Sequence, residues 1–363
     1  PARARIALIG TYLPRMCGIA TFTADTKAAI ETAFPSSDVD IYEIWRPTDK
    51  RSQGARHHIA EGDQAAFRDA ASLINRSSPD AVWLQHEFGI FGGPAGDAVL
   101  ELVRGVAAPL IVTLHTVLER PDADQRRVMD ALVARASTLV VMTRRAMETL
   151  EDVYDADPER IAIIEHGVPD RPFGRSEEFK RELGFSGPVM LTFGLLSPGK
   201  GIERAIEALP AIVARHPKLT YCIAGATHPN LLAREGEAYR ETLVALAQSL
   251  GVSDHICWID RFLDTPELLD LIEAADIYVT PYPGAGQSVS GTLSYAVALG
   301  KAVISTPYLH AAELLDKGHG VLVPFGNAGA IADAAIELLD DPERLSGLQS
   351  RAYARGREML WSA

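Results

Sequence analysis

Cysteine is scarce. The 363 residues hold three, Cys17, Cys222 and Cys257, far apart and without a C-x-x-C pair. That excludes a disulfide scaffold and a thioredoxin-like motif, and it points to a reducing, cytoplasmic setting. Cys222 and Cys257 fall in apolar runs and read as buried structural thiols. Cys17 stands just before a helix, where a thiolate is favoured, but no His or Asn relay is legible beside it. The ten histidines form no H-x-x-x-H or Cys/His cluster, so no metal site is expected. An excess of positive charge is missing too. The 35 Lys and Arg face 48 Asp and Glu, a net charge of −13, which argues against nucleic acid as a partner. No apolar run approaches the roughly 20 residues that span a bilayer, and PARARIALIG passes directly into a strand. Neither a transmembrane nor a targeting segment is therefore expected, while a peripheral membrane contact stays open.

What is present is apolar material in regular alternation. Hydrophobic residues make up 47% of the chain, enough for two cores. A first series of strand-like runs reads RIALIG, VDIYEI, AVWLQ, LIVTLH, TLVVMT and IAIIEH, with helical patterns near 21–33, 64–75, 96–106, 124–136 and 144–153. A second series reads VMLTF, TYCIAG, HICWID, IYVTPY, AVIST and GVLVPF. Strands alternating with helices predict α/β architecture, two Rossmann-like domains each with a parallel sheet. The join is GVPDRPFGRSEEFKRELGFSGP, polar and bearing Gly and Pro. Boundaries follow at 1–168, a linker with one surface helix at 169–188, and 189–344. A basic tail helix at 345–363, carrying Trp361, is expected to dock on something apolar.

Two loops point to an anion site. GLLSPGKGIERAIEALP, 194–210, runs from an apolar strand into an amphipathic helix. The helix N-terminus offers unpaired N–H groups and the positive end of the peptide dipole, and Lys200 adds a full charge. Neither the spacing of a P-loop nor a G-x-G-x-x-G is present. AGQSVSGTLSYAVALGKAVIST, 285–306, likewise leads from small and hydroxyl residues into a helix. In a parallel sheet both helix starts lie outside the carboxyl ends of the strands, where open α/β sheets bind ligands. Two domains joined by a linker also leave a cleft as the default site. The first domain offers TYLPRMCGIATF, with Arg15 and Gly18, then His86 and Glu87 after AVWLQ, and His115 after LIVTL.

In their order and spacing PRMCGIATF, the histidine of VTLHT, EHGVPD, FGLLSPGKGIERAIEALP and GTLSYAVALGKAVISTP resemble the retaining GT-B glycosyltransferases of glycosyltransferase family 4, over nearly the whole chain. The resemblance implies two Rossmann-like domains facing each other across a cleft and a C-terminal helix crossing back to the first. It also implies no cofactor or metal requirement, and sugar transfer from an activated donor with retention. It matches Gly18 to the glycine at the donor phosphates, His115 to the histidine beside the transferred sugar, and Lys200 to the donor-phosphate lysine. Gly194, Gln287, Ser288, Ser290, Gly291, Thr292 and Tyr295 complete the donor-binding candidates; His86 and Glu87 are the acceptor-side ones. There are two departures. Leu195 stands where the family usually has Arg, and Gln287 and Tyr295 stand where it has Glu-x7-Glu, so the carboxylate that would hold a ribose is absent.

The function expected is a retaining glycosyltransferase moving a hexose, mannose or glucose, from a nucleotide sugar to a glycan or small hydroxyl acceptor. Two alternatives follow from the same residues: a glycoside phosphorylase using orthophosphate or a sugar 1-phosphate, and a non-catalytic glycan- or partner-binding homologue. With Leu195 and Gln287 in place, Arg15 is the nearest unused cation, expected to supply the missing guanidinium on domain closure.

Overall fold

A strand covered by helices on both faces needs no polar side, so each apolar run read above becomes a parallel strand. The computed structural model describes residues 4–363. Contacts divide the chain into two units, one ending at Gly167 and one running from Val168 to Trp361.

The first unit carries, in chain order, β1 (Arg5–Gly10), α1 (Gly18–Ala33), β2 (Asp38–Trp45), β3 (His57–Ala60), α2 (Gln64–Ser77), β4 (Ala81–His86), α3 (Val99–Gly105), β5 (Leu110–Leu114), α4 (Ala123–Arg135), β6 (Thr138–Val141), α5 (Arg144–Tyr154) and β7 (Ile161–Ile163). The sheet is parallel throughout, in the order β3-β2-β1-β4-β5-β6-β7, with Ile6 of β1 between Val39 of β2 and Ala81 of β4. Its core gathers Ile9, Ile44, Leu84 and Val112 from strands with Phe67, Leu102, Met129 and Leu132 from helices. Side chains close the helix starts: Asp63 accepts from Ala65 and Ala66, Asp122 and Gln125 form a capping box, and Thr143 accepts from Ala146. Strand β3 has no apolar run to announce it. It is an edge strand with only Ile59 buried, paired to Ile44, so one apolar residue suffices.

The second unit carries α6 (Ser176–Glu182), β8 (Val189–Phe193), α7 (Ile202–Arg215), β9 (Thr220–Ala224), α8 (Pro229–Glu235), α9 (Ala238–Ser249), β10 (Ile256–Ile259), α10 (Thr265–Ala274), β11 (Ile277–Thr280), α11 (Gly291–Ala298), β12 (Ala302–Ser305), α12 (Leu309–Leu314), β13 (Val321–Leu322), α13 (Ala328–Asp340) and α14 (Pro342–Gly356). Its parallel sheet runs β10-β9-β8-β11-β12-β13. Alternation splits β8 between two cores. Val189, Leu191 and Phe193 share one with α10 and α11, and Met190 shares the other with α7 and α13. The helix expected within a linker belongs to this unit, since α6 packs on α10 through the buried Phe179. The tail, read from sequence as joining the first unit, packs within the second. Helix α14 lies against α11 and α13 with Leu348 and Ala352 buried, and the Trp361 amide donates to the Val168 carbonyl at 3.2 Å.

Both sheets reverse their strand order at one place, between β1 and β4 and between β8 and β11. Loops at the carboxyl ends of such strands form the crevice where doubly wound sheets take ligands. Residues 194–201 and 281–290 are those loops in the second unit.

Candidate active site

In the second unit the two loops are locked together by a glycine. Gly201 has φ +62°, and a Cβ there would lie 2.2 Å from the Pro281 carbonyl oxygen. A glycine at this place is dictated by the close passage of the 281–290 loop. The turn Pro198–Lys200 ahead of it directs Lys200 onto Tyr282: Nζ donates to the phenol oxygen at 2.5 Å and stands 4.5 Å from the ring centroid. The Tyr282 ring stacks on Tyr308 at 4.7 Å. Its hydroxyl lies 3.4 Å from both Ser290 Oγ and Thr292 Oγ1, which are 3.1 Å apart, and Tyr278 donates to Thr292 at 2.8 Å. Burial pushes the Tyr282 phenol up, but the Lys200 charge and hydrogen bonds from Lys200, Ser290 and Thr292 outweigh it and bring it down to about 8. Burial raises Tyr278 and Tyr308 instead.

The donor-side candidates thus divide. Lys200, Ser290 and Thr292 come together around Tyr282, and Gly194, with φ +119°, leaves 3.2 Å between a would-be Cβ and the Thr292 methyl. Ser290 caps α11, accepting from the Leu293 amide, and its own amide donates to His310 Nδ1 at 2.8 Å; Gly291 opens the helix. Ser288 is buried beside them. Gln287 does not join the group: exposed, it folds back to donate from Nε2 to the Val289 carbonyl at 2.7 Å. Tyr295 is buried in the core with Leu293 and Val297, so a tyrosine, not a carboxylate, stands at the second position of the pattern.

In the first unit His115 is 9% exposed at the end of β5, where Phe22 of α1 meets it edge-on at 4.8 Å. Its Nε2 bonds Gln85 Oε1 at 2.9 Å, and since that oxygen only accepts, the proton sits on Nε2 and Nδ1 is the acceptor nitrogen. Burial first, then His166 and His86, lower it to about 3, so at neutral pH it is an uncharged imidazole. Gly18 begins α1, with nothing within 4 Å of a would-be Cβ, and Cys17 caps that helix through Sγ, 3.4 Å from the Ala20 amide.

Other first-unit candidates are committed elsewhere. His86 is fully buried, stacked on Phe91 and edge-on to Phe88; neither ring nitrogen has a hydrogen-bond partner, and burial lowers it to about 3. It is a core histidine, not an acceptor-side group. Glu87 accepts from the Phe88 amide at 3.0 Å and from the Thr116 hydroxyl at 2.7 Å, which makes it the brace of its own turn. Arg15, read as the spare cation, is held in its own unit: Nη1 donates to Glu61 at 3.2 Å, Asp49 lies 3.7 Å away, and Arg46 shares Glu61 at 2.6 Å.

Sequence reasoning missed Tyr282, Tyr308 and His310. Each follows a strand of the second sheet and was readable only as part of an apolar or loop segment.

With this geometry in view, comparison with known proteins gives a family and a fold. The model of the glycosyl transferases group 1 matches residues 175–357. A D-inositol 3-phosphate glycosyltransferase of Corynebacterium glutamicum (strain R) is 30% identical over 325 residues, covering 82% of this chain and 74% of that protein. Among solved structures, sucrose-phosphate synthase from Thermosynechococcus elongatus superposes with a TM-score of 0.81 at 19% identity, over 99% of this chain and 95% of that one. Anabaena HepE in complex with UDP-glucose does so at 0.76 and 16%, over 99% and 96%. At such identities the structural likeness speaks for the fold, two Rossmann-like parallel-sheet units of the GT-B class.

Proposed function

Because this chain belongs to the glycosyl transferases group 1, we propose that it transfers a hexose, mannose or glucose, from a nucleotide sugar to a hydroxyl acceptor with retained anomeric configuration, in the cytoplasm and without a metal. The observation that carries the reading is Lys200, fixed between two glycine-bearing loops at the β8/β11 switch point with Ser290 and Thr292 beside it. A departing diphosphate gains charge as the glycosidic bond breaks, and an ammonium with two helix N-termini is the kind of group that stabilises it. His115, neutral at working pH, contributes polarity and shape around the sugar, its Nδ1 lone pair suited to accept from a sugar hydroxyl. Relatives act on D-inositol 3-phosphate, and a structural neighbour holds UDP-glucose; both support a nucleotide donor and a hydroxyl acceptor.

One observation favours a second reading on the same site. With Gln287 folded away and Tyr295 in the core, α11 presents no carboxylate to a ribose, and a lysine with hydroxyls suits orthophosphate or a sugar 1-phosphate. A thermal-shift panel of UDP, GDP, ADP, orthophosphate and sugar phosphates separates the two. A ligand at a hundred times its Kd stabilises by about 2.7 kcal/mol. Stabilisation by one nucleotide, well above that by orthophosphate, is the result expected; a response to orthophosphate and sugar 1-phosphate alone assigns the site to phosphorolysis.

A further inference from the structure

The Lys200–Tyr282 pair is unusual for an anion site, because the cation is bound to a group that can itself become an anion. The following rests on the reading of Lys200 as a phosphate-binding residue. Tyr282 is fastened on every side. Its ring lies on Tyr308, its carbonyl accepts from Thr306 Oγ1 at 2.7 Å, and its hydroxyl meets Lys200, Ser290 and Thr292. Lys200, on a flexible four-carbon stem, has its ammonium fixed by this phenol and by the ring face beneath it.

We propose that Tyr282 is the positioning residue for Lys200, holding its ammonium toward the ligand phosphate, and that the Tyr282 proton sets the charge the site offers. With the phenol protonated the pair carries one positive charge. With the phenol ionised, ammonium and phenolate form an internal neutral pair, and an anionic ligand must break it to bind. The charged and titratable groups facing Tyr282 are Lys200 from the β8–α7 loop, Tyr278 from β11 and Tyr308 after β12; His310 of α12 lies behind Ser290. Burial keeps the phenols of Tyr278 and Tyr308 protonated well into the alkaline range, so Tyr282 is the group of this cluster that titrates first above neutrality, with its midpoint at about 8.

The test is the affinity of the intact protein for UDP, GDP and ADP across pH 7 to 9.5, a range in which the terminal phosphate, whose second pKa is about 6, keeps its charge. The wild-type protein is expected to lose affinity by about tenfold per pH unit above the phenol midpoint, as the competent fraction falls. Tyr282→Phe keeps the ring under Lys200 and against Tyr308. It is expected to bind several-fold more weakly at pH 7 and to show a flat profile across this range. In the wild type the near-ultraviolet phenolate signal is expected to show one early ionisation, displaced to higher pH by the bound nucleotide. This readout needs no variant. Matching alkaline limbs in the two proteins, or an early ionisation indifferent to ligand, overturns the role of Tyr282 while leaving Lys200 as a phosphate residue. Failure of the wild type to bind any of these nucleotides at pH 7 overturns both.

Discussion

Charge state is decisive at the scale of single residues. His115 is uncharged because burial, then His166 and His86, lower it, so in the proposed reaction its contribution is a lone pair and a shape, felt when the sugar flattens in the transition state. His115→Ala should therefore lower kcat by about 100-fold or more with little change in donor KM, the mark of an interaction made mainly in the transition state. Kinetics together with Tm checks it: a lower Tm with normal activity per folded molecule would make His115 a core residue like His86. His115 was legible in sequence because it follows directly on an apolar strand, and Lys200 because it stands in the glycine-bearing loop between an apolar strand and an amphipathic helix. Tyr282 was not, because its meaning comes from a partner 82 residues away. Arg15 was legible as a cation but not as a committed one, since Glu61 and Asp49 reach it only through the pairing of β2 and β3.

At the scale of elements, the site depends on how closely two loops pass. Gly201 at φ +62° marks that passage; Gly225, after β9 at φ +144°, marks a third segment pressed on the first loop, where a Cβ would stand 2.0 Å from the Gly194 carbonyl oxygen. Gly201→Ala must accept both a left-handed conformation, about 1–2 kcal/mol, and a clash with backbone that cannot give way. The expected outcome is a fall in Tm of several degrees and a loss of nucleotide affinity as Lys200 moves off Tyr282, measured by thermal unfolding and titration; wild-type values for both would deny the locking role. Strands were readable from their apolar runs. What escaped was register. HHIA becomes β3 only because β2 offers it an edge, and Cys222 comes to lie directly beside Cys257 only because β9 and β10 pair in parallel.

At the scale of the whole molecule, the first unit carries a latent acid sensitivity. His86, His115 and His166 lie at about 3, 3 and 4, each lowered chiefly by burial, against about 6.5 in an unfolded chain. Folded values below the unfolded value mean that the unfolded chain binds more protons between the two. Stability is complete above about pH 6.5 and drains away below it, by about 1.4 kcal/mol per pH unit for each histidine. Glu87, raised by burial, works in the opposite direction. Denaturant unfolding between pH 7 and 5 should show this loss, and His86→Phe should make the slope shallower; a flat profile would contradict it. The central claim concerns the second unit, that Lys200 between its two loops is the group that takes the donor phosphate. The most direct measurement is Kd for the binding nucleotide and turnover with its sugar nucleotide, compared between wild type and Lys200→Ala. A charged hydrogen bond to phosphate is worth about 1.5–3 kcal/mol, so affinity should fall at least about tenfold and turnover further, with Tm near wild type. Unchanged affinity and turnover in a folded Lys200→Ala protein would contradict the account.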